Sequence, residues 1–107
     1  MTVLTVNLVH HHTHSVLNLH GELDAFSSDL IAPAVDTMLD SGRQRLTVDT
    51  AGLTFCDSQG LRTLLLTDRK LAAAGGAMEL VHVHGTLRRV MHVTGLERAF
   101  TITPGTA

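Results

Sequence analysis

The chain of 107 residues contains a single cysteine, no tryptophan or tyrosine, and no long apolar run. One cysteine, Cys56, cannot form an internal disulfide, and this suits a protein of the cytoplasm. No apolar stretch approaches the ~20 residues that a membrane-spanning helix needs. The N-terminus also lacks the basic-then-apolar pattern of a secretory signal. These absences predict a cytoplasmic protein without a membrane span.

Positive charge is scarce as well. Lysine and arginine number 8 against 10 acidic residues, giving a net charge of −2, and no more than two basic residues are adjacent. Such a balance argues against nucleic acids or acidic membranes as the main partner. Aromatic residues make up only 3% of a chain that is 44% hydrophobic. This composition favours an aliphatic core in which strands pack against helices.

The sequence also lacks the patterns that carry common enzyme chemistry. It has no G-x-x-x-x-G-K-[ST] phosphate-binding loop and no Ser-His-Asp arrangement. We therefore predict that the chain is not an enzyme, has no catalytic residues and requires no cofactor.

Hydrophobic periodicity and turn residues predict the order β-β-α-β-α-β-α-β in one domain, residues 1–107, with its core at about 3–103. This order predicts an α/β fold with a mixed sheet of four to five strands, in which the first two strands are antiparallel and the later ones parallel. The predicted strands are residues 2–9, 15–20, 45–49, 77–83 and 99–103. The predicted helices begin near residues 28, 58 and 85 and end near residues 41, 74 and 95. In the first, Ser28 or Asp29 is expected to be the cap, with Pro33 in the first turn, and the apolar face comprises Leu30, Ala34, Val35, Met38 and Leu39. In the third, the apolar face comprises Leu87, Val90 and Met91, with Val93 as a further candidate. Gly21 is expected to end the second strand, and residues 51–55 are expected to form a connection.

The chain is organised around residues 54–66, where an apolar strand leads into a helix. Asp57 is a good N-cap because its carboxylate can accept hydrogen bonds from the free N–H groups of the first turn. Ser58 would then occupy the first helical position, with its hydroxyl near the surface at the positive end of the helix dipole. Gly60 costs about 1 kcal/mol in a helix relative to alanine. Its presence indicates that the protein's own backbone or a partner needs room there.

Residues 57–61, Asp-Ser-Gln-Gly-Leu, resemble the signature of STAS domains, in particular the anti-sigma factor antagonists of bacteria. Three other segments are similar to family elements: Gly-Glu-Leu-Asp at 21–24, Ala-Ala-Gly-Gly at 73–76 and Val-Thr-Gly-Leu at 93–96. Order and spacing fit over about residues 3–103. The resemblance implies one sheet with three main helices mostly on one face.

The resemblance also implies a phosphorylation switch at Ser58. In the family, the serine after the aspartate is phosphorylated by a partner serine/threonine kinase, which is itself an anti-sigma factor, and a phosphatase removes the phosphate. The unmodified domain binds the anti-sigma factor and so releases a sigma factor. Asp24 is implied to lie beside the phosphorylation site and to help the kinase recognise it. Gln59 departs from the family pattern, which usually has serine or threonine at that position.

The predicted partner-binding surface lies around this junction and the loop after the second strand. It comprises Asp24, Phe26, Ser27, Ser28, Asp57, Ser58, Gly60, Leu61 and Arg62. A second interpretation keeps the fold but assigns a different role, that of a STAS subunit in a lipid-transport or stress-signalling complex, in which Ser58 is never modified.

Histidine is unusually frequent, with eight residues. His10, His12 and His14 are weak candidates for metal binding, because a hairpin tip offers no scaffold to fix them. His82 and His84 are expected on the fourth strand, facing the same side. Cys56 is expected to behave as a small apolar residue.

Overall fold

After an initial hairpin, strands and helices alternate along the chain. The computed structural model describes residues 3–104, apart from the side chain of Ser28, so residue 2 of the predicted first strand lies outside the described residues. The order is as predicted, but a 3-10 helix replaces the start of the last strand. The elements are β1 (Thr5–His10), β2 (Ser15–Leu23), α1 (Ser28–Asp40), β3 (Arg45–Cys56), α2 (Ser58–Ala73), β4 (Ala77–Val81), α3 (Gly85–Thr94), the 3-10 helix Leu96–Ala99 and β5 (Ile102–Thr103).

The five strands form one sheet in the order β1-β2-β3-β4-β5. β1 is antiparallel to β2, and all later neighbours are parallel, which confirms the predicted mixed sheet. Buried and less buried residues alternate along β2, because successive side chains point to opposite faces. The helices cover the buried face. The largest fully buried side chains are Leu17, Leu19, Leu23, Ile31, Met38, Val48, Leu61, Leu64, Leu71, Leu80, Leu87 and Met91.

The predicted ends of the second and third strands are wrong. β3 continues beyond Asp49 to Cys56, and β2 continues through Gly21. The sequence pattern treats both glycines of this region as breakers, whereas Gly52 pairs with His20 inside the sheet. A Cβ on Gly52 would lie only 2.1 Å from Nδ1 of His20, so glycine is needed for close packing. The extension carries both strands to the edge where the candidate site lies.

Helix α1 differs from the prediction in part of its buried face and in its capping residue. Ile31 is buried, and Leu30, which the helical pattern predicts to face the core, is exposed. The helix begins at Ser28, so Pro33 is the sixth helical residue rather than part of the first turn. The helix starts near residue 28 as predicted, but its N-cap is Ser27 and not Ser28 or Asp29.

The two histidines predicted on β4 are not on a strand. β4 ends at Val81, and His82 adopts a left-handed conformation with φ of 60°. Its Nδ1 lies 3.0 Å from Oδ1 of Asp49, while Nε2 of His84 lies 3.1 Å from the carbonyl oxygen of Thr50. These contacts on β3 hold the connection between β4 and α3, and the expected shared face does not exist.

Among residues 3–104, no helix is both long and apolar enough to cross a lipid bilayer.

Candidate functional site

Two neighbouring parallel strands end at the same level, and their following loops form the candidate site. Leu23, the last residue of β2, pairs with Cys56, the last residue of β3. Asp24 and Asp57 therefore follow adjacent strand ends. The carboxyl edge of a parallel sheet is where ligands and partners commonly bind, because loops from several strands meet there.

The junction between β3 and α2 has the geometry that the sequence predicts. Asp57 is extended, with φ −102° and ψ −176°, and its Oδ1 accepts a hydrogen bond from the Gly60 N–H at 2.8 Å. The Asp57 carbonyl accepts from the Leu61 N–H at 3.0 Å. Asp57 is thus the N-cap, and Ser58 is the first helical residue and exposed. The serine hydroxyl lies at the positive end of the helix dipole, where added negative charge is favourable.

The end of β2 fixes the position of this helix start. The Asp57 N–H donates to the Leu23 carbonyl at 3.3 Å. Gly60 lies over the same carbonyl, since a Cβ on Gly60 would be 2.2 Å from that oxygen. The room that the sequence indicates at Gly60 is therefore taken by the protein's own backbone.

Two members of the predicted surface lie beneath it. Gly60 is buried, and Leu61 is 1% exposed and belongs to the core. Their side-chain positions face β2 because the first turn of α2 packs closely on the strand end. They position Ser58 and do not line the surface, which corrects the predicted set.

The loop after β2 is held by its own polar groups. Oδ1 of Asp24 accepts from the Phe26 N–H at 3.0 Å and lies 3.0 Å from Oγ of Ser27. The Ser27 hydroxyl also accepts from the Asp24 N–H at 3.0 Å and lies 3.0 Å from the Glu22 carbonyl oxygen. Ser27 is only 3% exposed, so its predicted place on the surface is wrong: its hydroxyl shapes the loop. Ser28 begins α1, but its side chain lies outside the described residues.

The hydrogen bonds within this loop turn Phe26 outward, and its side chain is 87% exposed. An aromatic ring left in water is costly because its apolar surface is not buried. A ring at this position, two residues before α1, therefore marks a surface suited to contact with another molecule.

Two arginines, one on α2 and one on α3, lie on the Ser58 side of the site. Arg62 is exposed and lies one turn further along α2, at the i+4 spacing that places side chains on one face. The first turn of α2 holds no acidic residue. Arg89 of α3 lines the groove that borders Ser58. These arginines favour an anion at Ser58, although the neighbouring Asp57 is itself negatively charged.

Sequence reasoning missed an apolar groove of about 440 Å³ next to Ser58, between the start of α2 and α3. Its apolar wall includes Phe55, Val90 and Val93, and Val93 is 78% exposed. The sequence pattern assigns Val90 to the inward face of α3, with Val93 as a further candidate. Val93 is the signal that could have revealed the groove. It follows Met91, the last buried residue of α3, by only two residues, so the two side chains cannot lie on the same face of the helix.

Hydrogen bonding fixes α3 beside the site. The Cys56 N–H donates to Oγ1 of Thr86 in the first turn of α3, at 2.8 Å.

Cys56 itself is buried, and burial, with a further contribution from the Asp57 carboxylate, raises the pKa of its thiol to about 12. The thiol is therefore protonated at neutral pH and unreactive. Its expected role as a small apolar residue at the junction is confirmed.

The histidine-rich segment forms the turn between β1 and β2. The His11 N–H donates to the His14 carbonyl at 2.8 Å, and the two rings stack with centroids 5.2 Å apart. Nδ1 of His10 lies 2.7 Å from Oγ of Ser15. Within residues 3–104, no three histidine, cysteine or acidic side chains are grouped so that they could hold a metal ion. The candidates His10, His12 and His14 are thus not brought together as one set of ligands.

Comparison with known proteins places this chain in a family. A family model described as "Mlab, STAS domain" matches residues 6–104. The anti-sigma F factor antagonist of Paenibacillus polymyxa is 28% identical over 100 residues, which cover 92% of this chain and 86% of that protein.

Two solved structures extend the comparison. An anti-sigma factor antagonist from Mycobacterium paratuberculosis is 27% identical, with a TM-score of 0.80 over 94% of this chain and 85% of that one. The Bacillus cell fate determinant SpoIIAA, solved in its phosphorylated form, is 26% identical, with a TM-score of 0.73 over 95% of this chain and 92% of that one. The chain belongs to the STAS domain family, and its relatives include anti-sigma factor antagonists.

Proposed function

We propose that this chain is an anti-sigma factor antagonist whose binding is switched by phosphorylation of Ser58. The unmodified domain binds an anti-sigma factor that is also a serine/threonine kinase, and thereby releases a sigma factor. The observation that carries this proposal is the exposed Ser58 at the first position of α2, capped by Asp57. Relatives named as antagonists, one of them solved in a phosphorylated form, support it.

The fold can carry a phosphate on Ser58 without rearrangement. A phosphoserine adds about −1.5 to −2 charges and three strong acceptors. At a helix N-terminus a negative charge gains roughly 0.3–1 kcal/mol. The Asp57 cap uses the Gly60 N–H and not the serine hydroxyl, so the cap survives modification.

Binding of a partner, unlike the fold, would be strongly weakened by a phosphate on Ser58. A phosphate at the centre of an interface must lose its hydration or find new cationic partners, and an uncompensated buried charge costs several kcal/mol. Asp57 and Asp24, at the adjacent strand ends, add like charge to the same surface. Phosphorylation would therefore release the partner and leave the domain folded.

The proposed binding surface combines charge with exposed apolar side chains. Its predicted members that reach the surface are Asp24, Phe26, Asp57, Ser58 and Arg62. The groove beside Ser58 adds the apolar wall described above. The chemistry belongs to the partner kinase, and a phosphatase reverses it. This chain supplies the acceptor, and all three proteins would act in the cytoplasm.

The proposal is tested by incubating the chain with its anti-sigma factor kinase and ATP and weighing it by mass spectrometry. We expect a gain of one phosphate in the wild type and none in Ser58→Ala. Ser41→Ala, which removes another exposed serine, at the end of α1, is the matched control and should still gain the phosphate. Unmodified wild type in the presence of active kinase, or modification of Ser58→Ala, would contradict the proposal.

A second candidate function is binding of a protein scaffold without modification, as a subunit of a lipid-transport or stress-signalling complex. The exposed apolar side chains Phe26, Phe55 and Val93 favour it, because they offer a docking surface that needs no phosphate. Gln59, in place of the usual serine or threonine, is consistent with it. This candidate predicts no phosphate in the same mass measurement.

A further inference from the structure

The two outer strands of the sheet are protected to very different degrees against pairing with another chain. β5 is only two residues long and is followed by Pro104, which has no N–H to offer another strand. β1, at the other edge, is six residues long and pairs with β2 without a register shift. An outer strand exposes unpaired N–H and C=O groups, and a long, regular one is a template for another chain.

β1 also lacks the residues that proteins place on outer strands to prevent such pairing. Lysine, other charges, proline and bulges are the usual devices. Residues 3–9 contain no proline and no ionisable side chain, and His10 is the only titratable residue of the strand. Val3 and Val9 are exposed at either end, and Val6 and Leu8 are only partly buried against the core. Within residues 3–104, only β2 pairs with β1.

We propose that β1 pairs antiparallel with β1 of a second copy of this chain, joining two sheets into one of ten strands. A second copy is the fitting occupant because antiparallel self-pairing is two-fold symmetric. Since residues 3–9 carry no charge, no like charges meet at the two-fold axis between the copies. The proposal stands apart from the function of Ser58.

The side-chain alternation of β1 restricts the register. Val6 and Leu8 face the core, and Thr5, Asn7 and Val9 face the opposite side. Residues directly opposite each other must lie on the same face, so only every second register is allowed. Two allowed registers centre the six-residue strand equally well, one with Asn7 opposite Asn7 of the other copy and one with Leu8 opposite Leu8. The second places Val6 opposite the titratable His10, so the proposed register is the one centred on Asn7. Val6 then lies opposite Leu8, and each covers the apolar surface that the other leaves exposed.

Cysteine cross-linking tests both the dimer and its register. In Asn7→Cys the two new side chains would be opposite each other, with Cβ atoms about 5 Å apart. In Thr5→Cys, at a position that is also exposed on the same face, the two cysteines would be offset by four residues, about 13 Å. That separation is beyond the reach of a disulfide. The native Cys56 is buried and supplies no background.

Under mild oxidation we expect Asn7→Cys to form a covalent dimer, while Thr5→Cys and the wild type do not. Sedimentation of the wild type should give twice the monomer mass.

Asn7→Lys should raise the dimer dissociation constant by about 100-fold, because two ammonium groups would meet at the axis. Ala51→Lys adds the same charge to an exposed position on the central strand β3 and should leave the dimer intact. A wild type that remains monomeric at high concentration, or equal cross-linking of the two cysteine variants, would overturn the proposal.

Discussion

Replacing Gly60 by alanine is expected to lower the free energy of unfolding by about 2–3 kcal/mol, although helix propensity alone predicts a gain of about 1 kcal/mol. The reason is a collision, because the new Cβ would lie 2.2 Å from the carbonyl oxygen of Leu23. Backbone at the end of β2 cannot move away as a flexible side chain would. The same carbonyl also accepts the Asp57 N–H, so shifting it disturbs the cap.

Thermal unfolding measures this effect. A loss of 2–3 kcal/mol corresponds to a fall in melting temperature of roughly 10 °C or more for a domain of this size. Gly42→Ala is the control for backbone strain alone: Gly42 has φ +85° but open space around its Cβ position. It should cost only about 1 kcal/mol. A Gly60→Ala protein as stable as the wild type, or more stable, would show that α2 does not pack closely on β2.

Ser58→Asp is expected to weaken binding of the anti-sigma factor on the order of 100-fold, or roughly 2.7 kcal/mol. The carboxylate would place an unpaired charge in the proposed interface beside Asp57. The fold should tolerate it because the site is exposed and lies at a helix N-terminus. We therefore expect the melting temperature to change by no more than about 3 °C.

The matched control for this variant is Ser41→Asp. Ser41 is exposed and precedes β3, whereas Ser58 follows β3, so the two serines lie at opposite ends of that strand. Titration calorimetry should give wild-type affinity for Ser41→Asp and for Ser58→Ala. Equal loss of affinity in both aspartate variants would mean that net charge, and not the position of Ser58, governs binding.

The junction between β3 and α2 was predictable from sequence because its determinants are local. An aspartate that caps a helix, a serine at the first helical position and a glycine in the first turn each act within three residues of one another. The predicted cap, helix start and exposure of Ser58 are all found.

Features that depend on contacts between distant segments could not be read in the same way. The local pattern makes Gly52 a loop residue, since only the pairing with His20 makes it a strand glycine. It places Ser27 on the surface, but the Ser27 hydroxyl is buried against the Glu22 carbonyl. The groove beside Ser58 is formed by elements about 30 residues apart in the chain, so no local pattern encodes it.

The central claim is that a dianion on Ser58 releases a docked protein and leaves the fold unchanged. Its most direct measurement is the affinity of the anti-sigma factor for one preparation of this chain before and after enzymatic phosphorylation, with melting temperatures recorded for both forms. We predict that phosphorylation weakens binding at least as much as Ser58→Asp does, while the melting temperatures agree to within about 3 °C. Equal affinity of the two forms, or loss of binding that is accompanied by unfolding, would contradict the account.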